Sequence, residues 1–335
     1  MTDAAEDLEG LWRALPAPAG PLMEAREAGA WAGGQLLAAL DSDGRRHLLV
    51  AVPDQPRVSI PRLRGLDSQT RRMRAAGRTG AWLDLTLLDT QGLPAFTLLC
   101  ADVIAAAAAT RSVDPTFIAT VIARWRRFWT GRQDELSREA RLGLFGELWM
   151  LTHWLPELSA ATVNSWQGPL GGRHDFANPT VSVEVKTTAT TGGPVVHRVA
   201  SLDQLAPPEQ GQLYLLSLRV TSDATGTHSL ERLVDQARDD AAAAGPGVAD
   251  DLDDRLAAVG WTPMHRGRYD EPLRVAGQIL YRVDGTFPRL TMETLPDLPD
   301  GIVDVRYSLD TSVCGPWQTA TEPEHPGPLD ALLQA

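Results

Sequence analysis

Lysine is almost absent from this sequence. Of its 31 lysine and arginine residues, Lys186 alone is a lysine. A guanidinium group stays protonated and broad, whereas an ammonium group is compact, changes its pKa on burial and can orient a water molecule. Lys186 is therefore a candidate for chemistry that arginine cannot perform. The alternative is that one lysine has been placed there by chance.

Cysteine and long apolar stretches are also scarce. Cys100 and Cys314 are the two cysteines, and neither belongs to a Cys-x-x-Cys motif, which argues against a disulfide framework and a cysteine zinc site. No stretch approaches the roughly 20 apolar residues that cross a bilayer. The acidic N-terminus lacks the basic and apolar regions of a signal peptide. These absences predict a cytoplasmic protein with no membrane segment.

Several common catalytic motifs are missing. The sequence contains no Gly-x-x-x-x-Gly-Lys phosphate loop, no Gly-x-Ser-x-Gly, no His-Glu-x-x-His and no dinucleotide fingerprint. These absences disfavour an ATPase, a serine hydrolase, a zinc protease and a dinucleotide-dependent enzyme.

Positive charge is lacking overall but is concentrated locally. The net charge is −12, yet residues 55–142 carry fourteen arginines against eight acidic residues, so that segment is at +6 and the remainder at −18. Two arginine runs stand out: Arg62, Arg64, Arg71, Arg72, Arg74 and Arg78, then Arg124, Arg126, Arg127 and Arg132. They could form a surface that binds phosphates, or solvated helix faces.

The pattern of apolar residues and turns divides the chain into three regions. Residues 1–110 are predicted to form a mainly β domain with an Arg-rich segment, in which Ser68 to Ala76 is helical. The predicted strands are Gln35 to Leu40, His47 to Val52, Trp82 to Leu88 and Ala95 to Ala101. Residues 226–335 are predicted to form an α+β region, with two helices followed by strands near Leu273 to Val283 and Ile302 to Leu309.

The middle region, residues 111–225, combines helical and strand periodicity. Helices are predicted up to Trp154, and Ser201 to Leu205 is predicted to be a short helix. The predicted strands are Thr162 to Trp166, His174 to Ala177, Val181 to Thr188 and Gln212 to Val220. The resulting order is helix, three strands, helix, strand.

The strand from Val181 to Thr188 carries the candidate site. Its alternation places Glu184 and Lys186 on one face. The turn at Asn178-Pro179 folds the preceding strand back, so Asp175 is expected about 5 to 8 Å from Glu184. Two carboxylates at that separation can share a hard divalent cation such as Mg²⁺. An ordinary surface hairpin with a Glu and Lys pair is the alternative.

The expected chemistry is hydrolysis of a phosphodiester. A cation between Asp175 and Glu184, with the backbone carbonyl of Val185 as a further ligand, would polarise a phosphate and lower the pKa of a bound water. Lys186 would orient that water or help to deprotonate it. The cation and the lysine would also offset the repulsion between the two carboxylates.

These residues resemble the PD-(D/E)XK nuclease superfamily, in which Asp lies on the second strand and Glu-x-Lys on the third. More narrowly, the chain resembles a bacterial family assigned to that superfamily and found in defence gene clusters. The matching stretches are Phe145 to Leu148, Trp166 to Pro169, His174 to Phe176, Val183 to Thr188 and Phe287 to Leu290. His174 replaces the proline of the motif's name. The resemblance reaches from about Leu142 to Cys314.

The resemblance implies an α/β protein with a restriction-endonuclease-like αβββαβ core, flanked by the N-terminal mainly β domain and the α+β C-terminal extension. It implies that Asp175 and Glu184 hold Mg²⁺, with Mn²⁺ as a substitute, and that Lys186 activates the nucleophile. Glu147 would add an acidic contact, or is simply the polar end of an amphipathic helix. Gln204 is placed over the site.

The resemblance also implies a function and partners. The leading hypothesis is a Mg²⁺-dependent DNA endonuclease within a bacterial restriction or anti-phage system. ATPase, methyltransferase or other defence subunits are its expected partners, and a homodimer is a further alternative. The alternative is a catalytically inactive nuclease fold that binds DNA or acts as a scaffold. An enzyme that acts on RNA or nucleotides is a third reading.

Overall fold

The computed structural model describes residues 2–18, 22–54, 60, 61, 63, 65–88, 93–129, 135–265, 267–295, 302 and 304–334, and only the backbone at 2, 3 and 127–129. The chain forms two compact units, residues 1–131 and 132–335. The division into three regions at 110 and 225 stays a prediction.

The first unit combines one antiparallel sheet with three helices. Its elements are α1 (Thr2–Arg13), β1 (Glu24–Trp31), β2 (Gly34–Leu40), β3 (Arg46–Val52), β4 (Leu66–Ala75), β5 (Arg78–Leu87), α2 (Leu93–Ala109) and α3 (Thr116–Trp129). The strand order is β1-β2-β3-β5-β4. The central strands are buried on both faces, as in β3, where His47 to Val52 are all buried.

Two predictions for this unit were wrong. The Arg-rich stretch is strand β4, which pairs with β5 from Leu66 to Ala75, because sheet pairing overrides the helix propensity of arginine. The stretch from Ala95 to Ala101 is part of helix α2. A short run of apolar residues is compatible with a buried helix or a buried strand, and periodicity cannot separate the two.

Part of the arginine prediction falls outside the described structure. Arg62, Arg64 and Arg132 lie outside the described residues, as does the side chain of Arg127. Arg71, Arg72 and Arg74 are exposed on β4, at one edge of the sheet.

The second unit has a mixed sheet, also of five strands. Its elements are α4 (Arg138–Trp149), a π-helical turn (Met150–Trp154), α5 (Ala160–Ser165), β6 (Phe176–Ala177), β7 (Val181–Thr188), β8 (Val196–Val199), β9 (Gln212–Ser222), α6 (Leu230–Ala244), α7 (Pro246–Ala258), β10 (Leu273–Arg282), β11 (Tyr307–Asp310) and β12 (Gln318–Ala320). The main sheet has the order β12-β10-β9-β7-β6, and β8 pairs with β11 in a separate two-stranded sheet. Strands β7 and β9 are parallel, whereas the other pairs in the main sheet are antiparallel.

The fold is a mixed α/β fold with seven α-helices in the described residues. The predicted αβββαβ order is not confirmed. The segment predicted as its first strand is helix α5, which begins with a capping box between Ser159 and Thr162, and only Trp166 forms a bridge, to Phe176. The segment from Ser201 to Leu205 forms turns instead of a helix. Strand β11 begins at Tyr307, later than the predicted Ile302.

Within the described residues, no helix combines the length and the apolar character needed to cross a membrane.

Candidate active site

The pairing of β6 with β7 places Asp175 next to Glu184. Phe176 pairs with Val183, and the same register continued by one residue sets Asp175 opposite Glu184. The tight turn between the strands is held by Asn178, whose Oδ1 accepts hydrogen bonds from the backbone N–H groups of Thr180 and Val181 at 2.9 and 2.8 Å. The proximity of the two carboxyl groups therefore follows from local sequence.

Asp175 is fixed further by the backbone of β7. Its Oδ2 accepts a hydrogen bond of 2.8 Å from the N–H of Val185. The Val185 side chain points to the opposite face of the sheet, toward α4, as the alternation along β7 requires. Asp175 is half-buried as a residue, and this hydrogen bond holds its carboxyl group in place.

Lys186 contacts two acceptors. Its Nζ lies 2.7 Å from Glu184 Oε1 and donates a hydrogen bond of 3.2 Å to Gln204 Oε1. Glu184 is 2% exposed and the Lys186 side chain 17% exposed. The same Gln204 oxygen accepts a hydrogen bond of 2.8 Å from the N–H of Ala200, and this contact orients the side-chain amide toward the lysine.

Helix α4 brings Glu147 to the same place. Its Gly146 allows the helix to approach β7 closely, because a Cβ at that position would collide with Thr187 Oγ1 and lie 3.0 Å from Val185 Cγ1. The indole N–H of buried Trp166 donates a hydrogen bond of 2.6 Å to Glu147 Oε2. Glu147 is thus a half-buried, oriented carboxyl group.

A glycine leaves open the space beside two of the carboxyl groups. A Cβ at Gly168 would lie 3.0 Å from both Asp175 Oδ1 and Glu147 Oε2, so any side chain there would press on both oxygens. The backbone N–H of Gly168 donates to the Asp175 carbonyl at 2.9 Å, which fixes the loop. The structure therefore keeps oxygen atoms of Asp175 and Glu147 around one small opening.

Burial raises the pKa of all three carboxyl groups. At Glu147 and Glu184 burial is the largest cause and the negative charge of Asp175 the next, and both pKa values reach about 8. Burial also raises the pKa of Asp175, against the opposing effects of the Val185 N–H and of Lys186. One ammonium group accompanies three carboxyl groups, so the cluster lacks positive charge when all three are ionised.

This arrangement fits a hard divalent cation. Carboxylate and carbonyl oxygens are the ligands that Mg²⁺ prefers, and it is commonly held by one or two protein carboxylates, with water and substrate phosphates completing its shell. Within the described part of the chain, no three His, Cys, Asp or Glu side chains are grouped closely enough to hold a metal ion by themselves. The donor set therefore suits an ion that is bound together with water and substrate.

Two histidines, His174 and His153, have structural contacts. His174 is buried and its Nε2 lies 3.2 Å from the Ala206 carbonyl, while burial lowers its pKa to about 4. His153 stacks on Trp149 at 3.6 Å between ring centroids. Neither pattern resembles a catalytic acid or base.

Sequence reasoning missed part of the site. Trp166 and Gly168 belong to a matching stretch but had been given no role, and Arg173 had not been considered. Arg173 donates to the carbonyl oxygens of Asp203 and Ala206 at 3.1 and 2.9 Å, and so holds the turn that presents Gln204. Trp166 and Gly168 could have been identified as site residues from their position a few residues before Asp175 in the sequence.

Residues 8–312 match the model of a protein family described as "Putative PD-(D/E)XK family member (DUF4420)". No curated protein and no solved structure shows significant similarity to the chain. Because the family match extends over most of the sequence and includes every residue of the site described above, the chain belongs to this family.

Proposed function

We propose that the chain is a divalent-metal-dependent nuclease that hydrolyses phosphodiester bonds in DNA. The observation that carries this proposal is the cluster of three carboxyl groups around a single ammonium group. A folded protein gains nothing from burying mutually repelling carboxyl groups unless a cation or a proton accompanies them. Family membership supports the same conclusion.

Each residue has a role in this proposal. Asp175 and Glu184, with the backbone carbonyl of Val185, would hold Mg²⁺ or Mn²⁺, and Glu147 would accept a hydrogen bond from a bound water. A bound divalent ion supplies positive charge that polarises the phosphodiester and lowers the pKa of a water molecule. Lys186 orients the attacking water, and Gln204 holds the ammonium group in position.

The substrate and setting are argued from charge and family. The exposed arginines on β4 provide a basic edge that suits a phosphate backbone, although Arg71 lies 3.1 Å from Asp84 and Arg72 lies 3.3 Å from Asp54. We propose that the elements around β6, β7 and β9 form a modified restriction-endonuclease-like core. We propose, from the resemblance to families found in such gene clusters, that the protein acts in a bacterial restriction or anti-phage system with an ATPase or methyltransferase subunit as partner.

A second candidate function is a catalytically inactive nuclease fold that binds DNA or serves as a scaffold. One observation favours it: the ammonium group of Lys186 lies 2.7 Å from Glu184 Oε1 and so occupies an oxygen that the metal would use. In an active enzyme, this contact must yield when the metal and substrate bind.

Plasmid cleavage tests the proposal. The wild-type protein is incubated with supercoiled DNA and Mg²⁺ or Mn²⁺, alone and with the products of neighbouring genes, beside Lys186→Ala and Asp175→Asn. We expect the wild type to nick or linearise the plasmid and both variants to lose at least about a hundredfold in rate. Equal cutting by all three would refute the assignment. Binding without cutting by any of them would favour the scaffold.

A further inference from the structure

The segment Phe287 to Leu290 lies on the face of the main sheet that carries Glu184. Glu184 pairs with Leu215 on β9, and paired residues of neighbouring parallel strands point to the same side. Leu215 belongs to a buried cluster that includes Phe287, against which Tyr307 packs. Phe287 therefore anchors Arg289, two residues further along the chain, on the side of the sheet that carries Glu184.

The guanidinium group of Arg289 is half-buried and only partly hydrogen-bonded. Its Nη1 donates a hydrogen bond of 2.9 Å to the Asp284 carbonyl. Its Nε is buried and has no hydrogen-bond partner among the described residues. The negative charges of Asp284 and Glu293 also act on the guanidinium. Burial lowers the pKa of Arg289. A guanidinium in such surroundings normally pairs with an anion.

Tyr307 has a hydroxyl group in a similar situation. Its oxygen is buried, and the Leu290 N–H faces it as a donor, but among the described residues the hydroxyl hydrogen has no acceptor. Burial raises the pKa of Tyr307, the Leu290 N–H and the Arg289 guanidinium act in the opposite direction, and the Glu184 carboxyl raises it. Tyr307 packs against the buried cluster that contains Phe287 and Leu215, on the side of the sheet that carries Glu184. An unpaired buried donor costs free energy, so these two donors call for a shared acceptor.

We propose that Arg289 and Tyr307 form a phosphate-binding site beside the carboxyl cluster, which holds a backbone phosphate of the DNA strand next to the one that is cut. Arginine and tyrosine both donate, and a phosphate offers several acceptor oxygens at once. Three carboxyl groups repel a polyanion, so substrate binding needs compensating positive charge nearby. Both residues are half-buried, so part of each side chain faces solvent, and the phosphate would approach the two buried donor atoms from that side. The inference rests on the proposed nuclease function.

Binding of a fluorescent DNA duplex in EDTA tests this site separately from cleavage. Anisotropy titrations over a series of salt concentrations compare the wild type with Arg289→Gln, Arg289→Lys and Tyr307→Phe. The matched control is Arg282→Gln, because Arg282 is exposed, lies on β10 and points to the opposite face of the sheet. Thermal unfolding of each variant shows that it is folded.

Loss of one phosphate contact has a defined signature. We expect Arg289→Gln to weaken binding about tenfold and to lower the slope of log K against log salt by about 0.9. Arg289→Lys keeps the slope but recovers only part of the affinity, because an ammonium lacks the planar fork. Tyr307→Phe weakens binding about threefold with an unchanged slope, since it removes a neutral donor.

Other outcomes overturn the inference. If Arg289→Gln keeps the wild-type affinity and slope, or changes no more than Arg282→Gln does, the site does not exist as proposed. A wild-type protein that shows no salt-dependent binding to the duplex also overturns it. Failure of the nuclease proposal gives a different set of results. The wild type would bind the duplex and Arg289→Gln would weaken that binding, but neither Mg²⁺ nor Mn²⁺ would support cleavage.

Discussion

Each of the two units buries a cluster of charged residues on its sheet, and the clusters differ in balance. In the first unit, Asp84 on β5 lies 2.8 Å from His47 Nδ1, 3.1 Å from Arg71 Nε and 3.0 Å from the hydroxyl of Thr86. Asp41 lies 3.3 Å from His47 Nε2. Burial acts to raise the pKa of Asp41, but hydrogen bonds from Arg45, His47 and Asp43 outweigh it, so the pKa is lowered.

The cluster in the second unit has the opposite balance. Glu147, Asp175 and Glu184 share one cation, Lys186, and burial raises the pKa of each carboxyl group. In a cluster whose charges are paired, removal of one partner is strongly destabilising because it leaves an uncompensated buried charge. A cluster with surplus carboxyl groups needs a cation or protons from solution, so the balance of charge separates a structural cluster from a candidate catalytic one.

An Asp→Asn substitution in each cluster tests this difference with the largest expected effect. We expect Asp84→Asn to lower the free energy of unfolding by about 3 kcal/mol, because Arg71 and His47 lose a buried partner. Asp175→Asn should leave it unchanged or raise it at pH 8 without metal, because one of three repelling charges is removed while an oxygen still accepts the Val185 N–H. Urea unfolding in EDTA measures both.

The proposed difference between the two clusters is refuted if Asp175→Asn destabilises the protein as much as Asp84→Asn does. In that case, the carboxyl group of Asp175 would be a structural partner of Lys186 and Val185, like Asp84 in the first unit. Fluorescence and circular dichroism should be followed together, because two compact units need not unfold in one transition.

The surplus of carboxyl groups also predicts how stability depends on pH. Glu147 and Glu184 have folded pKa values of about 8 against a reference value of 4.5, so between these pH values the folded state holds protons that the unfolded chain has released. Stability without metal is therefore full below about pH 4.5 and is lost as pH rises through 8. Glu147→Gln should flatten this decline and add about 1 to 2 kcal/mol at pH 8, because glutamine still accepts the Trp166 indole.

The control for the pH experiment is Glu157→Gln, which removes an exposed carboxyl group ten residues away on the same unit. Unfolding free energies are measured from pH 5 to 8.5 in EDTA. A decline of the same steepness in wild type and Glu147→Gln would show that the carboxyl group is not protonated in the folded protein.

Much of the site could be predicted from local sequence because its geometry is local. The alternation of β7 fixes Glu184 and Lys186 on one face, and the Asn178 turn sets Asp175 opposite them. The position of Glu147 could not be derived this way. It depends on the close approach of α4 to β7 at Gly146, a contact between elements about forty residues apart.

The errors in the fold arose where tertiary contacts or end groups override the pattern. The segment Thr162 to Trp166 has the composition of a strand, yet the capping box at Ser159 starts a helix there. The arginines of β4 favour a helix in isolation, and the ladder to β5 decides otherwise. The phosphate site proposed at Arg289 and Tyr307 combines residues from two separate segments of the chain, so no residue spacing in the sequence predicts it.

A divalent cation should stabilise the second cluster and leave the first unaffected. At pH 8, Mg²⁺ at about five times its dissociation constant is expected to raise the free energy of unfolding of the wild type by about 1 kcal/mol. Glu184→Gln should lose this gain because it removes a ligand oxygen, whereas Asp84→Asn should keep it. Calorimetry at constant ionic strength measures the change, and an equal gain in Glu184→Gln would rule out binding at this cluster.

The smallest expected effect separates positioning from stability. Gln204→Ala removes the second acceptor of Lys186 and leaves its contact with Glu184 intact, so we expect about a fivefold fall in kcat with little change in KM. Thr86→Val, which removes a donor to Asp84 in the first unit, should lower stability without changing kcat. Gln210→Ala, exposed a few residues further along the chain, is the control for Gln204. If steady-state cleavage falls equally in Gln204→Ala and Thr86→Val, the loss comes from stability alone, and Gln204 does not position the ammonium group.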